Sequence, residues 1–371
     1  MPSHRTGGLD VTGSQGPAAA GDHASAVPLL EVENLTAHYQ VRPRLTQRVT
    51  RQSRLWVHAV DGVSFTLARG EMLALVGESG CGKTTTAQTI LGMVTPVSGT
   101  VRLNGTDITG MPERQMRPLR RQLQMIYQDP YESLDPRFRV EATVGEPLLV
   151  HGIGASPSER RELIVAALER AGLSPADAFL ARYPHELSGG QRQRVAIAAS
   201  LVLGPDLLLA DEPVSMLDVS IRLEILNLLD GLKRDRNLAM LYVTHDLATA
   251  RHFSSQIMVM YRGEIVEHGP SDQVILWPSH PYTQILAGSA PDPTISRADL
   301  ATARRTRQAA RASQTAERRE VAIDQGCRFR SRCPFAMDIC ATHPPDLPAE
   351  PDHWARCWLL SDDATDRRRT G

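Results

Sequence analysis

Three observations predict an α/β fold. The run Met72-Leu73-Ala74-Leu75-Val76 is short, apolar and followed by a glycine-rich loop and a polar helix start, which reads as a buried strand turning into a helix. Two more apolar runs, Leu207–Ala210 and Leu238–Val243, end in the polar groups Asp211-Glu212-Pro213 and Thr244-His245-Asp246. Amphipathic stretches with helix stop signals, Glu159 to Gly172 and Arg192 to Leu203, lie between the strands.

The loop after the first strand is Gly77-Glu78-Ser79-Gly80-Cys81-Gly82-Lys83-Thr84, with Thr85 next. G-x-x-x-x-G-K-[ST] between a strand and a helix is the phosphate-binding P-loop. Its glycines let successive N–H groups turn inward on one anion, and the helix adds the positive end of its dipole. Lys83 brings a compact charge to the outer phosphates, and the Thr84 hydroxyl is a Mg²⁺ ligand by type. The chain has 41 lysines and arginines, only two of them Lys (Lys83 and Lys233), so an arginine-committed chain still uses lysine where a point charge is wanted. These residues predict binding of a nucleoside triphosphate.

The strand-end acids extend the site. A carboxylate closing a strand beside a P-loop is the expected partner of the magnesium ion. Because side chains alternate along a strand, Asp211 is assigned to the Mg²⁺ shell and Glu212 to the attacking water. His245, at the end of another strand, is placed on the γ-phosphate or that water. A second glycine-rich helix start, Leu187-Ser188-Gly189-Gly190-Gln191, has Ser188 as N-cap and bare N–H groups for another anion.

Composition narrows the class. With 371 residues and a formal net charge of -1, the chain is long enough for a large domain with an appendage and has no global basic field that would advertise nucleic acid. No apolar run approaches the ~20 residues needed to span a bilayer. The amino-terminal stretch, broken by Pro, Gly, His and Asp, does not read as a signal peptide. A cytosolic chain that meets a membrane only through partners is expected.

Residues 1–27 read as a disordered tail. A strand follows from Leu29 to near Tyr39, then a basic insertion at 40–56, then more strand from Val57 to Leu67. Ser98–Gly105 is a strand ending in an Asn-Gly turn. Leu123–Tyr127 is a strand that delivers Gln128-Asp129-Pro130 to its end. Residues 140–180 read as helices, giving a helical subdomain at about 135–195 within a core of 28–270. Ile257–Gly269 reads as a closing hairpin. Residues 271–325 are expected to be a helical linker, with an Arg-rich stretch at 295–320, and 361–371 a tail. Four of the five cysteines, Cys327, Cys333, Cys340 and Cys357, fall near the carboxyl end at C-x5-C, C-x6-C and C-x16-C spacings. In a cytosolic chain that clustering favours metal over disulfides, and four thiolates suit either Zn²⁺ or an iron–sulfur cluster.

Taken together, these residues resemble the ATP-binding subunit of an ABC transporter, specifically of the oligopeptide/dipeptide (and nickel) importer family. The narrower likeness rests on Gln128-Asp129-Pro130 through Ser133–Arg137, Tyr183–Gln191, Asp211–Ser215, His280-Pro281-Tyr282-Thr283 and Gly326–Pro334. The resemblance implies a P-loop ABC ATPase core with an antiparallel β subdomain, a helical signature subdomain and a small Cys-rich domain at 326–360. It implies Tyr39 against adenine, Gln128 on the metal or water, Glu212 as general base, His245 on the γ-phosphate and Asp218 reaching across a dimer. Ser188, Gly189, Gly190 and Gln191 would then close on the ATP held by a second ATPase subunit, a copy or a paralogue. It further implies two transmembrane permease subunits, an extracytoplasmic solute-binding protein acting indirectly, a peripheral position on the cytoplasmic face of the membrane, and a [4Fe–4S] cluster rather than zinc at the cysteines. The chain departs from the family pattern at Met216 and at Ala199-Ser200, where a small residue and an arginine-containing segment are usual. The competing readings are a soluble ABC ATPase acting on ribosomes or DNA, and a metal- or redox-responsive interaction protein.

Overall fold

The computed structural model describes residues 28–40, 56–288 and 326–361. The expected tails, most of the basic insertion and the Arg-rich stretch lie outside these residues.

Two sheets form the frame. The first is antiparallel and uses β1 (Leu30–Gln40), β2 (Trp56–Leu67) and, after β3 (Met72–Val76) and α1 (Lys83–Ile90), the hairpin β4 (Ser98–Leu103) and β5 (Thr106–Asp107), in the order β2-β1-β4-β5. Asn104 and Gly105 turn that hairpin with φ of 49° and 74°, the pairing of positive angles a two-residue turn requires.

The chain continues through α2 (Glu113–Leu119), β6 (Leu123–Ile126), α3 (Pro130–Ser133), α4 (Val140–Val150), α5 (Pro157–Arg170), α6 (Asp177–Leu180) and α7 (Gly189–Leu201). It then forms β7 (Leu207–Asp211), α8 (Val219–Arg236), β8 (Ala239–Thr244), α9 (Leu247–Phe253), β9 (Gln256–Tyr261), β10 (Glu264–Pro270), α10 (Ser271–Leu276) and α11 (Pro281–Ala287). The last strands are β11 (Leu347–Glu350) and β12 (His353–Ala355). The second sheet has eight strands in the order β11-β12-β10-β9-β3-β8-β7-β6. From β9 to β6 all neighbours are parallel, while β10, β12 and β11 extend it antiparallel.

Every residue of β3, β7 and β8 is buried, as expected for parallel strands covered on both faces. One apolar cluster joins the sheet to the helical insert through Val144, Leu148, Ile164, Leu168 and Val195. A second joins it to the antiparallel sheet through Leu30, Val32, Leu67, Leu75 and Leu241. Between β6 and β7 the chain runs through the helices α4 to α7, and α7 starts at Gly189, directly after the N-cap Ser188.

The carboxyl-terminal segment is tied into the core sheet: β12 pairs with β10 through Glu267 opposite Ala355 and His268 opposite Trp354. Glu267 is fully buried and accepts hydrogen bonds from the backbone N–H groups of Ser279 and His280 at 2.7 and 3.0 Å, with His353 Nε2 at 2.8 Å. Burying a carboxylate without these donors would cost several kcal/mol, on the order of what a buried unpaired ion costs. The donors join the end of the chain to the start of α11. Among the described residues no helix is long and apolar enough to cross a membrane.

Candidate active site

The phosphate loop leaves the carboxyl end of β3, between β8 and β9 in the sheet. β6, β7 and β8 deliver Gln128, Asp211-Glu212 and His245 to the same edge, where open α/β sheets bind ligands. Close approach explains two of the glycines. A side chain on Gly82, whose φ is 117°, would meet the Ala59 carbonyl oxygen at 2.0 Å, and one on Gly77 would meet that of Met260 at 2.3 Å. The loop is thus pinned between β2 and β9.

Lys83 is 5% exposed, and its ammonium donates to the carbonyls of Gly77 (2.8 Å) and Glu78 (3.1 Å) while lying 3.9 Å from Glu212 Oε1. The Thr84 hydroxyl donates to Asp211 Oδ1 at 3.2 Å. Burial raises the Asp211 pKa, with the neighbouring Glu212 charge adding to the rise and the Thr84 hydrogen bond opposing it. A cation arriving beside Thr84 and Asp211 would meet two hard oxygen donors and relieve that penalty, so the residues present fit Mg²⁺.

Glu212 is the hub. Gln128 Nε2 donates to its Oε2 at 3.1 Å, His245 Nδ1 lies 3.2 Å from the same oxygen, and Lys83 faces the other one. The sequence reasoning separated Asp211 from Glu212 by strand alternation. In the structure β7 ends at Asp211, and Glu212 leaves the strand with a φ of 45°, so strand alternation does not govern where its side chain points. A non-glycine residue in the left-handed region is strained, and such strain gathers at functional sites.

The structure therefore brings together Lys83, Thr84, Asp211, Glu212, Gln128 and His245. Ser79, Gly80 and Thr84 are exposed at the mouth of the loop, Thr85 lies half-buried behind them, and Cys81 is buried with its thiol pKa raised by burial. Tyr39 is 40% exposed near the end of β1, opposite Val57. Among the described residues no hydrogen bond or ion pair links Ser188–Gln191 or Asp218 to the phosphate loop.

The second glycine-rich start has its own order. Gln191 N–H donates to Ser188 Oγ at 3.3 Å, and Ser188 N–H donates to Gln191 Oε1 at 3.0 Å, a reciprocal capping box. A side chain on Gly190 would strike Ile221 at 2.7 Å, so the glycine lets α7 pack against α8. Asp218, exposed, heads α8, and Met216 beside it is 59% exposed. Ser200, at the departure noted above, donates to the Met125 carbonyl at 3.1 Å and so ties α7 to β6.

Sequence reasoning missed the residues that brace the loop from behind. Glu78 N–H donates to the Tyr282 hydroxyl at 2.9 Å, and the Glu78 carboxylate accepts from both terminal nitrogens of Arg332 at 3.0 Å each. Arg328 donates to Asp61 and to the Arg262 carbonyl, and lies 3.1 Å from Glu264. The sequence signal for Tyr282 was present: His280 caps α11 and Pro281 follows at the first helical position.

The cysteines carry no disulfide. Cys357 interacts electrostatically with each of the other three, and burial pushes its pKa up to about 12. No three of the thiols lie within 4.8 Å of one another.

Residues 60–215 match the ABC transporter family, and residues 266–340 match the oligopeptide/dipeptide transporter C-terminal region. A Sinorhizobium fredii protein named as a probable peptide ABC transporter ATP-binding protein is 41% identical over 334 residues, covering 87% of each chain. The oligopeptide transport ATP-binding protein AppF of Bacillus subtilis is 39% identical over 344 residues, covering 91% of this chain and 99% of its own. Among solved structures, the ATP-binding cassette MJ0796, described as dimeric in a post-hydrolysis state bound to ADP and Pi, is 28% identical with a TM-score of 0.57, covering 65% of this chain and 98% of its own. With the phosphate loop, the strand-end acids and the capped glycine helix in one fold, the chain belongs to the ABC transporter ATP-binding proteins of importers, an ATPase family, and carries the C-terminal region of their oligopeptide/dipeptide branch.

Proposed function

We propose that the chain hydrolyses ATP to energise import of peptides or chemically similar solutes, at a site completed by a second ATPase subunit. The observation that carries this reading is the convergence on Glu212 of Gln128, His245 and Lys83, beside the Thr84–Asp211 pair. In it, the Gly77–Thr85 backbone and Lys83 hold the phosphates, Tyr39 stacks on adenine, and Thr84, Asp211 and Gln128 hold Mg²⁺. Mg²⁺ held there would supply positive charge against the phosphates. Glu212, fixed by its two polar neighbours, orients the attacking water and takes its proton, and His245 contacts the γ-phosphate. Ser188–Gln191 and Asp218 act in the opposite direction, on the nucleotide of the partner subunit. Their lack of any bond to the phosphate loop of their own chain supports that role.

The partners in this reading are a second ATPase subunit, two transmembrane permeases on which the chain sits peripherally at the cytoplasmic face and, indirectly, a solute-binding protein outside. Peptide as solute rests on the names of the relatives and on the C-terminal region. The rival substrates, ribosomes or DNA, find no support in the net charge of -1.

The four cysteines belong to the same reading as a structural staple. A single zinc ion would hold thiolates about 3.8 Å apart, closer than any three of these stand. A [4Fe–4S] cluster is held by four thiolates and would supply the charge that buried thiolates need.

The test is uptake of a labelled tripeptide into vesicles carrying the chain with its permeases and binding protein. Uptake that requires ATP and stops with Glu212→Gln is the expected result. ATP-dependent uptake of an unrelated solute, with none of any peptide tried, would overturn the peptide assignment.

A further inference from the structure

His38 on β1 and His58 on β2 are direct cross-strand partners, with ring centroids 3.6 Å apart. Asp61 follows on β2, its Oδ2 3.6 Å from His58 Nδ1. One ligand atom from each of the three falls within 4.8 Å of the other two, the only such set of His, Cys, Asp or Glu among the described residues. His38 Nε2 and His58 Nδ1 are both buried atoms with no hydrogen-bond partner. Two buried ring nitrogens without hydrogen bonds side by side are costly, and the Asp61 carboxylate facing His58 at 3.6 Å is too far to satisfy it. We propose that His38, His58 and Asp61 form a binding site for a divalent transition-metal ion of the zinc type, held by two imidazoles and one carboxylate.

The donor set is the one such ions take, with nitrogen from two rings, oxygen from a carboxylate and at least one position left for water. Two cations oppose the ion, Arg328 and Arg356, both of which feel the Asp61 and Glu264 charges. Arg328 is shared with Glu264 at 3.1 Å and Arg356 pairs with Asp346 at 2.6 Å, so the local sum of Asp61, Glu264, Asp346, Arg328 and Arg356 remains negative. Arg328 donates to Asp61 Oδ2, the same oxygen that faces His58, so it fixes the carboxylate and competes with an ion for that oxygen. The site lies one residue before Tyr39 and, through Arg328, touches the residue next to Cys327. A bound ion would lock β1 to β2 beside the nucleotide and join both to the carboxyl-terminal segment.

The experiment is a calorimetric titration of the full-length chain with zinc chloride at pH 7.5, for wild type, a His38→Gln/His58→Gln double variant, Asp61→Asn and Cys357→Ser. One equivalent of zinc should be lost or weakened by at least about 100-fold in the histidine variant, more than the loss of an outer partner costs, and the same equivalent should remain in Cys357→Ser. Zinc should also raise the melting temperature of the wild type and not that of the histidine variant. If the double variant does not fold, Asp61→Asn, which keeps both rings and an acceptor for Arg328, should weaken the same equivalent by more than about tenfold. A wild type that binds zinc only through its cysteines, or an isotherm unchanged by the ring or carboxylate substitutions, would overturn the proposal.

Discussion

Glu78, the second residue of the phosphate loop, receives both terminal nitrogens of Arg332 at 3.0 Å each, across 254 positions of sequence. The contact is a bidentate guanidinium–carboxylate pair, and the Arg332 side chain is only 10% exposed. Glu78 also donates its own N–H to Tyr282. The loop is therefore held from behind by the end of the chain, leaving its front for phosphate.

Arg332→Ala should weaken ATP binding roughly tenfold, the factor that corresponds to losing about 1.4 kcal/mol from a charge-assisted pair. Arg332→Lys should recover part of that loss, since it restores charge without the fork. Nucleotide titration followed by fluorescence reads both. Equal affinity in wild type and Arg332→Ala would show that the brace contributes nothing to the loop.

Glu212→Gln keeps the shape of the hub and removes its charge. Hydrolysis by the assembled transporter should fall by about 10²–10⁴-fold, the usual worth of a positioned general base. ATP affinity should not fall, because in the proposed reading the phosphates are held by Lys83 and the loop amides. Phosphate release and equilibrium nucleotide binding separate the two effects. Undiminished turnover would take Glu212 out of the proposed role.

His280 predicts an acid sensitivity. It is buried, caps α11 by accepting from Tyr282 N–H at 3.0 Å, and burial lowers its pKa to about 3. The unfolded chain therefore takes the proton first. Stability contributed by the neutral ring is full above pH 6.5 and declines as the pH falls from there toward 3, by up to about 1.4 kcal/mol per pH unit. His268, lowered to about 4 by burial and by His353, adds in the same direction. His280→Asn retains a capping acceptor without a titrating ring, so its melting temperature should drop less between pH 7.5 and pH 5 than that of the wild type. A drop as large as wild type would assign the acid sensitivity elsewhere.

Protein isolated without oxygen should be brown and contain iron and sulfide in equal amounts, with broad visible absorption that Cys357→Ser removes. Colourless protein holding zinc alone would replace the cluster with a single ion.

Much of this site was legible because it is local. Gly77 to Thr84 is one continuous turn whose glycines and lysine name their ligand, and Asp211, Glu212 and His245 each follow an unbroken apolar strand that carries them to one sheet edge. Sequence distance hid the rest. The β12–β10 pairing, and the Arg332 and Tyr282 contacts to Glu78, join residues that no periodicity relates, and a strand of three residues leaves little pattern to read. The turn at Glu212 was equally invisible, since nothing in Asp-Glu-Pro announces a left-handed glutamate. His38 and His58 looked like ordinary strand residues until the register of β1 on β2 set them face to face.

The central claim is that Ser188–Gln191 serves a nucleotide held by another subunit. Gly189→Asp tests it most directly. A Cβ at this position meets only Leu217, at an ordinary contact distance of 3.7 Å, and an acid in the first turn of α7 suits the helix dipole. Nucleotide binding and turnover would be measured on the isolated chain and on the assembled transporter. The account predicts unchanged ATP affinity in the isolated variant and abolished hydrolysis in the assembly. Weakened binding in the isolated chain, or full turnover in the assembly, would contradict it.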